Sequence, residues 1–71
     1  MGMTQRERIL RYIDDFGSIT PMEAFMDLGI TKLATRVSEL IRDGERIEKE
    51  QVSGKNRYGD KTYYMRYRRA V

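Results

Sequence analysis

The sequence predicts an α+β fold that is mainly α, with three short helices followed by a C-terminal β-hairpin. Three helix-start signals come before residue 45, each followed by apolar residues spaced three or four apart. A glycine stands just after each of the three segments. Beyond Gly44 the spacing changes to about two, which is typical of strands. A chain of 71 residues is long enough for one hydrophobic core, so residues 1–71 are interpreted as a single domain.

The first helix is predicted over residues 5–16. Thr4 and Glu7 form a capping box, in which each side chain binds a backbone N–H at the helix start. Gly17 supplies the residue that ends the helix. One apolar stripe is expected to be buried, and it consists of Ile9, Leu10, Ile13 and Phe16.

The second helix is predicted over residues 21–28, after a short extended link at Ile19. Thr20 is its N-cap, Pro21 its first residue and Glu23 the partner in a second capping box. We expect the helix to bury Ala24, Phe25 and Leu28. Two methionines at the edge of this stripe are expected to extend the core, with a partner-binding surface as the alternative: Met22 and Met26.

The third helix is predicted over residues 32–43, with Thr31 as N-cap and Gly44 as terminator. Its apolar arc consists of Leu33, Ala34, Val37, Leu40 and Ile41. The opposite arc consists of Lys32, Thr35, Glu39 and Arg42, with Arg36 and Ser38 on its flanks. The three-residue connection 29–31 begins with glycine, which is typical of the turn in a helix-turn-helix.

A hairpin is predicted over residues 46–68. Its strands are residues 46–52 and 62–68, and its loop, residues 53–61, holds two glycines, three cations and one aromatic residue. Alternation in the second strand places Tyr63, Met65 and Tyr67 on one face, and we expect Tyr63 and Tyr67 to be in the core.

This order of elements is the winged helix-turn-helix arrangement. The segments 4–10, 17–24 and 28–37, together with Leu40, resemble the small winged helix-turn-helix domains common in bacteriophage and prophage genomes. The resemblance covers nearly all of residues 4–52, whereas the hairpin matches only in type. It implies a DNA-binding fold and a phage or prophage origin, and we interpret the chain as a transcriptional regulator in the bacterial cytoplasm or nucleoid.

The distribution of charge favours a polyanionic partner. Residues 1–45 carry six basic and eight acidic side chains, a net charge of −2, whereas residues 46–71 carry eight basic and three acidic ones, a net charge of +5. Neutralising DNA phosphates with cations releases counterions and favours binding. Double-stranded DNA is therefore the expected partner.

Two elements are predicted to contact DNA. The third helix would enter the major groove, with Thr31 and Lys32 at phosphates and Thr35, Arg36 and Glu39 near base edges. Arg36 either forks onto guanine or forms an ion pair with Glu39 or Asp43. The hairpin loop would follow phosphates or enter the minor groove through Lys55, Asn56, Arg57, Tyr58 and Lys61. Auxiliary phosphate contacts are assigned to Arg66, Arg68 and Arg69.

Composition argues against catalysis. The chain has no cysteine and no histidine, so it lacks a thiolate nucleophile, an imidazole base and the usual zinc ligands. We expect no enzyme activity, no cofactor, no small-molecule substrate and no membrane segment. Two alternatives to DNA binding are a winged-helix module that binds proteins and an RNA-binding protein that stacks bases on its tyrosines. A homodimer or another protein partner stays open.

Overall fold

The protein is described by a computed structural model covering residues 2–70. Three helices precede a two-stranded antiparallel hairpin, which confirms the predicted fold class. The elements in chain order are α1 (Gln5–Phe16), α2 (Pro21–Leu28), α3 (Leu33–Arg42), β1 (Ile47–Lys55) and β2 (Lys61–Arg69).

The starts of α1 and α2 follow the capping pattern. At α2 the box is complete, because the Thr20 hydroxyl accepts from the Glu23 N–H at 3.2 Å and the Glu23 carboxylate accepts from the Thr20 N–H at 2.9 Å. At α1 the Thr4 hydroxyl accepts from the Glu7 N–H, and the described residues show no return bond from the Glu7 carboxylate. The predicted box at α1 is therefore only half formed.

The start of α3 differs from the prediction. Lys32, and not Thr31, is the N-cap residue, and no side chain caps the helix there. The first helical bond runs from the Arg36 N–H to the Lys32 carbonyl. Ile30 explains why Thr31 does not cap the helix. Its side chain is buried in the core, and its N–H donates to the Ala24 carbonyl at 3.0 Å. That anchor places Thr31 in an exposed bend outside the helix.

The core joins all three helices to the hairpin. Its members are Ile9, Tyr12, Ile13, Ile19, Ala24, Ile30, Leu33, Val37, Leu40 and Tyr67. Ile19 forms a strand-like bridge to β2, because its N–H bonds the Tyr67 carbonyl at 2.8 Å and its carbonyl accepts from the Tyr67 N–H at 2.9 Å. The extended link before α2 therefore acts as a third strand position at the base of the hairpin.

Several residues predicted to be buried are exposed. Phe16 and Phe25 are 70% and 55% exposed, so each lies outside the core that its helical spacing predicted. The prediction that two methionines extend the core is also wrong, because Met22 and Met26 are 69% and 70% exposed. Ala24 fills the α2 contact instead, since a short helix beside a small core buries only a narrow stripe. On α3 the arc is narrower than predicted, and the exposed members are Ala34 and Ile41.

Tyr12 is a core residue that the apolar periodicity left out. Its ring is buried and lies 4.7 Å from the ring of Phe16, while its hydroxyl donates to the Asp27 carboxylate at 2.5 Å. This hydrogen bond joins α1 to α2. The bond to Asp27, followed by burial, raises the pKa of the Tyr12 hydroxyl from 10.0 to about 12.

The hairpin is longer and its loop shorter than predicted. β1 and β2 pair from Ile47 opposite Arg69 to Lys55 opposite Lys61. Residues 53–55 therefore belong to a strand, and the loop is residues 56–60. The Asn56 side chain closes this loop by accepting from the Tyr58 and Asp60 N–H groups at 2.9 and 3.0 Å. These side-chain hydrogen bonds hold the turn closed, so the chain reverses its direction within a short loop.

The far half of the hairpin projects away from the core, which corrects the prediction for Tyr63. A nine-residue strand is about 30 Å long, longer than the helices can cover. Only the end of β2 nearest the helices is covered, so Tyr67 is buried and Met65 half-buried, whereas Tyr63 is 60% exposed.

We expect Ile19→Ala to destabilise the protein by about 2–5 kcal/mol, because it leaves a cavity where the helices meet the hairpin. The matched control, Ile41→Ala, removes the same atoms from a side chain that is 40% exposed and should cost about 1 kcal/mol. Urea unfolding followed by circular dichroism measures both. Equal losses would contradict the role assigned to Ile19, and Ile19→Val, which costs about 1 kcal/mol, keeps the comparison measurable if the alanine variant does not fold.

Candidate nucleic-acid interface

The outward ridge of α3 is narrow and polar. Helical geometry places Thr35 and Arg42 opposite the buried Val37 and Ser38 beside them, and all three are exposed. We call Thr35, Ser38 and Arg42 the outer ridge. Two of its three side chains are small, so another molecule can approach the helix backbone closely. Lys32 and Thr31, both exposed, precede the helix at its N-terminal end.

The other flank of α3 is held by α1. The Nη1 atom of Arg36 donates to both Glu39 carboxylate oxygens, at 2.9 and 3.0 Å, and its Nε donates to the Gln5 side-chain oxygen at 3.2 Å. We call Gln5, Arg36 and Glu39 the clamp. Further along the same flank, Arg6 of α1 forms an ion pair with Asp43. The sequence left two alternatives for Arg36, a fork onto guanine or an ion pair with Glu39 or Asp43, and in this structure Arg36 pairs with Glu39.

The clamp lowers the pKa of the Glu39 carboxyl group. The hydrogen bond from Arg36 lowers the pKa of Glu39 below the ordinary 4.5. Desolvation opposes this shift, and the charges of Arg36, Arg6 and Arg42 lower the pKa further. Glu39 is therefore ionised at neutral pH. The pair of Arg36 and Glu39 is therefore electrically neutral as a unit.

The hairpin tip, defined as residues 55–61, is fully exposed. Lys55 and Lys61 face each other across the ends of the strands, and Arg57 lies in the loop between them. None of these three cations forms an ion pair with another of residues 2–70. Tyr58 is 86% exposed. The side-chain oxygen of Asn56 is engaged in closing the loop, so this residue shapes the tip.

The arginines near the C-terminus are held by the protein itself. Arg66 pairs with Glu50, and Arg68 pairs with Glu48 and Glu50 across the hairpin. Arg69 bonds Asp14 of α1 at 3.0 Å and Glu45 at 2.9 Å, and these carboxylates raise its pKa. The auxiliary phosphate contacts assigned to these arginines would each require an internal ion pair to open.

The structure exposes some of the residues predicted to contact DNA and holds others in internal contacts. Thr31, Lys32 and Thr35 are exposed at one end of α3, and the five predicted loop residues form the hairpin tip, whereas Arg36 and Glu39 are turned toward α1. Sequence reasoning left Ser38 and Arg42 out of the site, although the helical wheel had placed both in or beside the polar arc. It also missed Gln5, for which the sequence offers no signal, since the contact spans 31 residues.

The family follows from a comparison with known protein families. A family model described as "Winged helix-turn-helix domain" matches residues 4–68, nearly the whole chain. The chain belongs to the winged helix-turn-helix family. This confirms the predicted family, and the winged helix-turn-helix is a DNA-binding fold. No curated protein and no solved structure matches the chain.

In winged helix-turn-helix domains that bind DNA, the recognition helix lies in the groove. In this chain α3 has the position of that helix and the hairpin has the position of the wing. The outer ridge and the hairpin tip are therefore the two candidate contact surfaces.

Residues 2–70 contain no cluster of three or more potential metal ligands. Within the same residues, no helix has the length and apolar character of a membrane span.

We expect the Glu39 carboxyl to titrate below pH 4.5 in the folded protein. Because its folded pKa is lowered, the stability it contributes is present above about pH 4.5 and is lost as the pH falls through the folded pKa. An NMR titration of the side-chain carboxyl carbon measures the midpoint. In Arg36→Ala the midpoint should move up toward 4.5, and an unchanged midpoint would show that the hydrogen bond from Arg36 does not control this carboxylate.

Proposed function

We propose that this winged helix-turn-helix protein binds double-stranded DNA with a sequence preference and acts as a transcriptional regulator in a phage or prophage. The observation that carries the proposal is the pair of exposed surfaces on α3 and on the wing. One is polar and narrow, and the other holds three cations with no internal partner among residues 2–70. These are the two elements that a winged helix-turn-helix presents to DNA.

In this proposal α3 reads the major groove. Thr35 and Ser38 are small enough for the helix to approach base edges closely and can hydrogen-bond them. Arg42 adds a donor on the same ridge. Thr31 and Lys32 bind a phosphate at the start of α3, where unpaired backbone N–H groups and the helix dipole favour an anion. The contribution of Arg36 and Glu39 depends on the clamp.

The wing supplies affinity that does not depend on sequence. Lys55, Arg57 and Lys61 neutralise phosphates beside the major-groove site or enter the minor groove, where arginine is favoured by the negative potential. Tyr58 packs on a sugar, and Asn56 keeps the loop in shape. Such a protein works in the cytoplasm or nucleoid of the bacterial host, and it needs no cofactor.

We expect Arg57→Ala to weaken binding to all duplexes alike and to reduce the slope of log affinity against log salt concentration by about 0.9, because one phosphate contact is lost. Fluorescence anisotropy with a mixed-sequence duplex at several salt concentrations measures this slope. The control, Arg68→Ala, removes the same charge from an arginine that is already paired with Glu48 and Glu50, and it should leave the slope close to that of the wild type. Equal effects of the two substitutions, or a wild type that does not bind, would contradict the proposal.

A second candidate function, binding of a protein partner, is favoured by an exposed apolar patch on α2. Met22, Phe25 and Met26 are each more than half exposed and lie on one face of this helix. Met22 stands between two recesses of about 300 and 620 Å³ that share its side chain as a wall. A protrusion beside a recess is the kind of self-complementary surface that a two-fold dimer uses, so a second copy of the chain is the partner considered.

For this second candidate we expect the wild type to self-associate in concentrated solution and Met22→Asp to stay monomeric, because a buried unpaired carboxylate opposes the contact. Sedimentation equilibrium over a range of concentrations measures the state of each protein. Gln51→Asp adds the same charge on the exposed side of β1 and should still associate. A wild type that remains monomeric throughout would eliminate the dimer.

A further inference from the structure

The clamp engages a specific set of the donors that Arg36 can offer. A guanidinium has two forked edges, one formed by Nε with Nη2 and the other by Nη1 with Nη2. Gln5 accepts from Nε, and Glu39 accepts from Nη1. Each edge therefore has one donor engaged, and Nη2 is the nitrogen without an acceptor among residues 2–70. A bidentate contact with guanine O6 and N7 needs both donors of one edge, so Arg36 must leave at least one clamp contact to make it.

The clamp is also sheltered from solvent more than a surface ion pair is. The side chains of Arg36 and Glu39 are 33% and 26% exposed, and the two lie in a recess of about 270 Å³ with Thr4, Gln5 and Arg6. Water screens a half-covered pair less than an exposed one. Two elements hold it in place, because Gln5 belongs to α1 while Arg36 and Glu39 belong to α3.

We propose that Gln5 and Glu39 withhold Arg36 from DNA phosphates and release it only where a guanine replaces the contacts it gives up, so that the clamp sets sequence specificity. This inference rests on the DNA-binding function proposed above. Gln5 and Glu39 act through Arg36 and are positioning residues. Arg36 is the residue that would touch the base.

The chemistry of the two competing partners supports this assignment. A phosphate is present along every DNA sequence, but while the clamp is closed it can reach only Nη2 of Arg36, and the Glu39 carboxylate bonded to the same guanidinium repels it. A guanine returns a two-bond fork to Arg36, and the released Glu39 can accept from a cytosine N4 amino group. Specificity is the difference between the affinity for the preferred site and the affinity for other sequences. Weakening the phosphate contact of Arg36, which every sequence offers, therefore raises specificity.

The deciding variant is Glu39→Gln, which removes the negative charge of the clamp while keeping the size of the side chain. We expect its binding to a random-sequence duplex to be several-fold tighter at low salt and its salt slope to be steeper by about 0.9, because Arg36 becomes a further phosphate contact. The control is Glu48→Gln, which changes the net charge equally. In that control Arg68 is still paired with Glu50, so no arginine is released to phosphate and the salt slope should stay at the wild-type value.

Two further measurements separate the clamp from a merely structural role. Adding Arg36→Ala to the Glu39→Gln variant should return the slope to its wild-type value, since no released guanidinium remains. Selection from a randomised duplex pool should enrich a guanine with the wild type and enrich it less with Glu39→Gln. Thermal melting followed by circular dichroism shows that each variant is folded.

Each result decides between the two proposals. A steeper slope in Glu39→Gln that Arg36→Ala cancels supports the clamp. Equal slopes in Glu39→Gln and Glu48→Gln, with a wild type that binds DNA in a salt-dependent way, overturn the clamp and leave DNA binding standing. If neither the wild type nor any variant binds DNA, the proposed function fails and the inference fails with it.

Discussion

The junction between Ile19 and Tyr67 is the contact on which the rest of the structure depends. It combines a pair of backbone hydrogen bonds with two side chains that are almost wholly buried, and it comes from the link between α1 and α2 and from the base of β2. A two-stranded hairpin is barely stable alone in water. Pairing with Ile19 gives its base a third strand position and a hydrophobic face. The projecting tip is therefore carried by a base that is fixed to the helices.

Internal ion pairs determine which cations are available to a partner. The hairpin half nearest the helices pairs its arginines with carboxylates of β1, α1 and the segment after α3. The tip has no such partners among residues 2–70. As a result, the three arginines of β2 are paired with carboxylates, whereas within the described residues the three cations of the tip are not. The arginines of α3 differ in the same way, because Arg36 is paired with Glu39 whereas Arg42 is exposed.

Features governed by neighbours in sequence were predictable, and features governed by contacts between elements were less so. The bounds of α1 and α2 follow from caps and glycines within a few residues, and the structure reproduces them. Burial along the same helices was predicted too widely, because periodicity shows which side of a helix is apolar but not how much of it a neighbour covers. Phe16, Phe25 and Met22 are exposed for that reason. The loop was predicted too long, because the bonds from Asn56 that close it are invisible to composition.

The sequence by itself determined the order of elements and the location of polar residues on α3 and cations on the hairpin, because these depend on local spacing and local conformational preference. Only the tertiary structure decided which of those residues are free to act. Arg36 is held by Gln5, 31 residues away, and Arg69 by Asp14, 55 residues away. The physical reason is that an ion pair depends on distance in space, and residues this far apart in the chain come together only when the core forms.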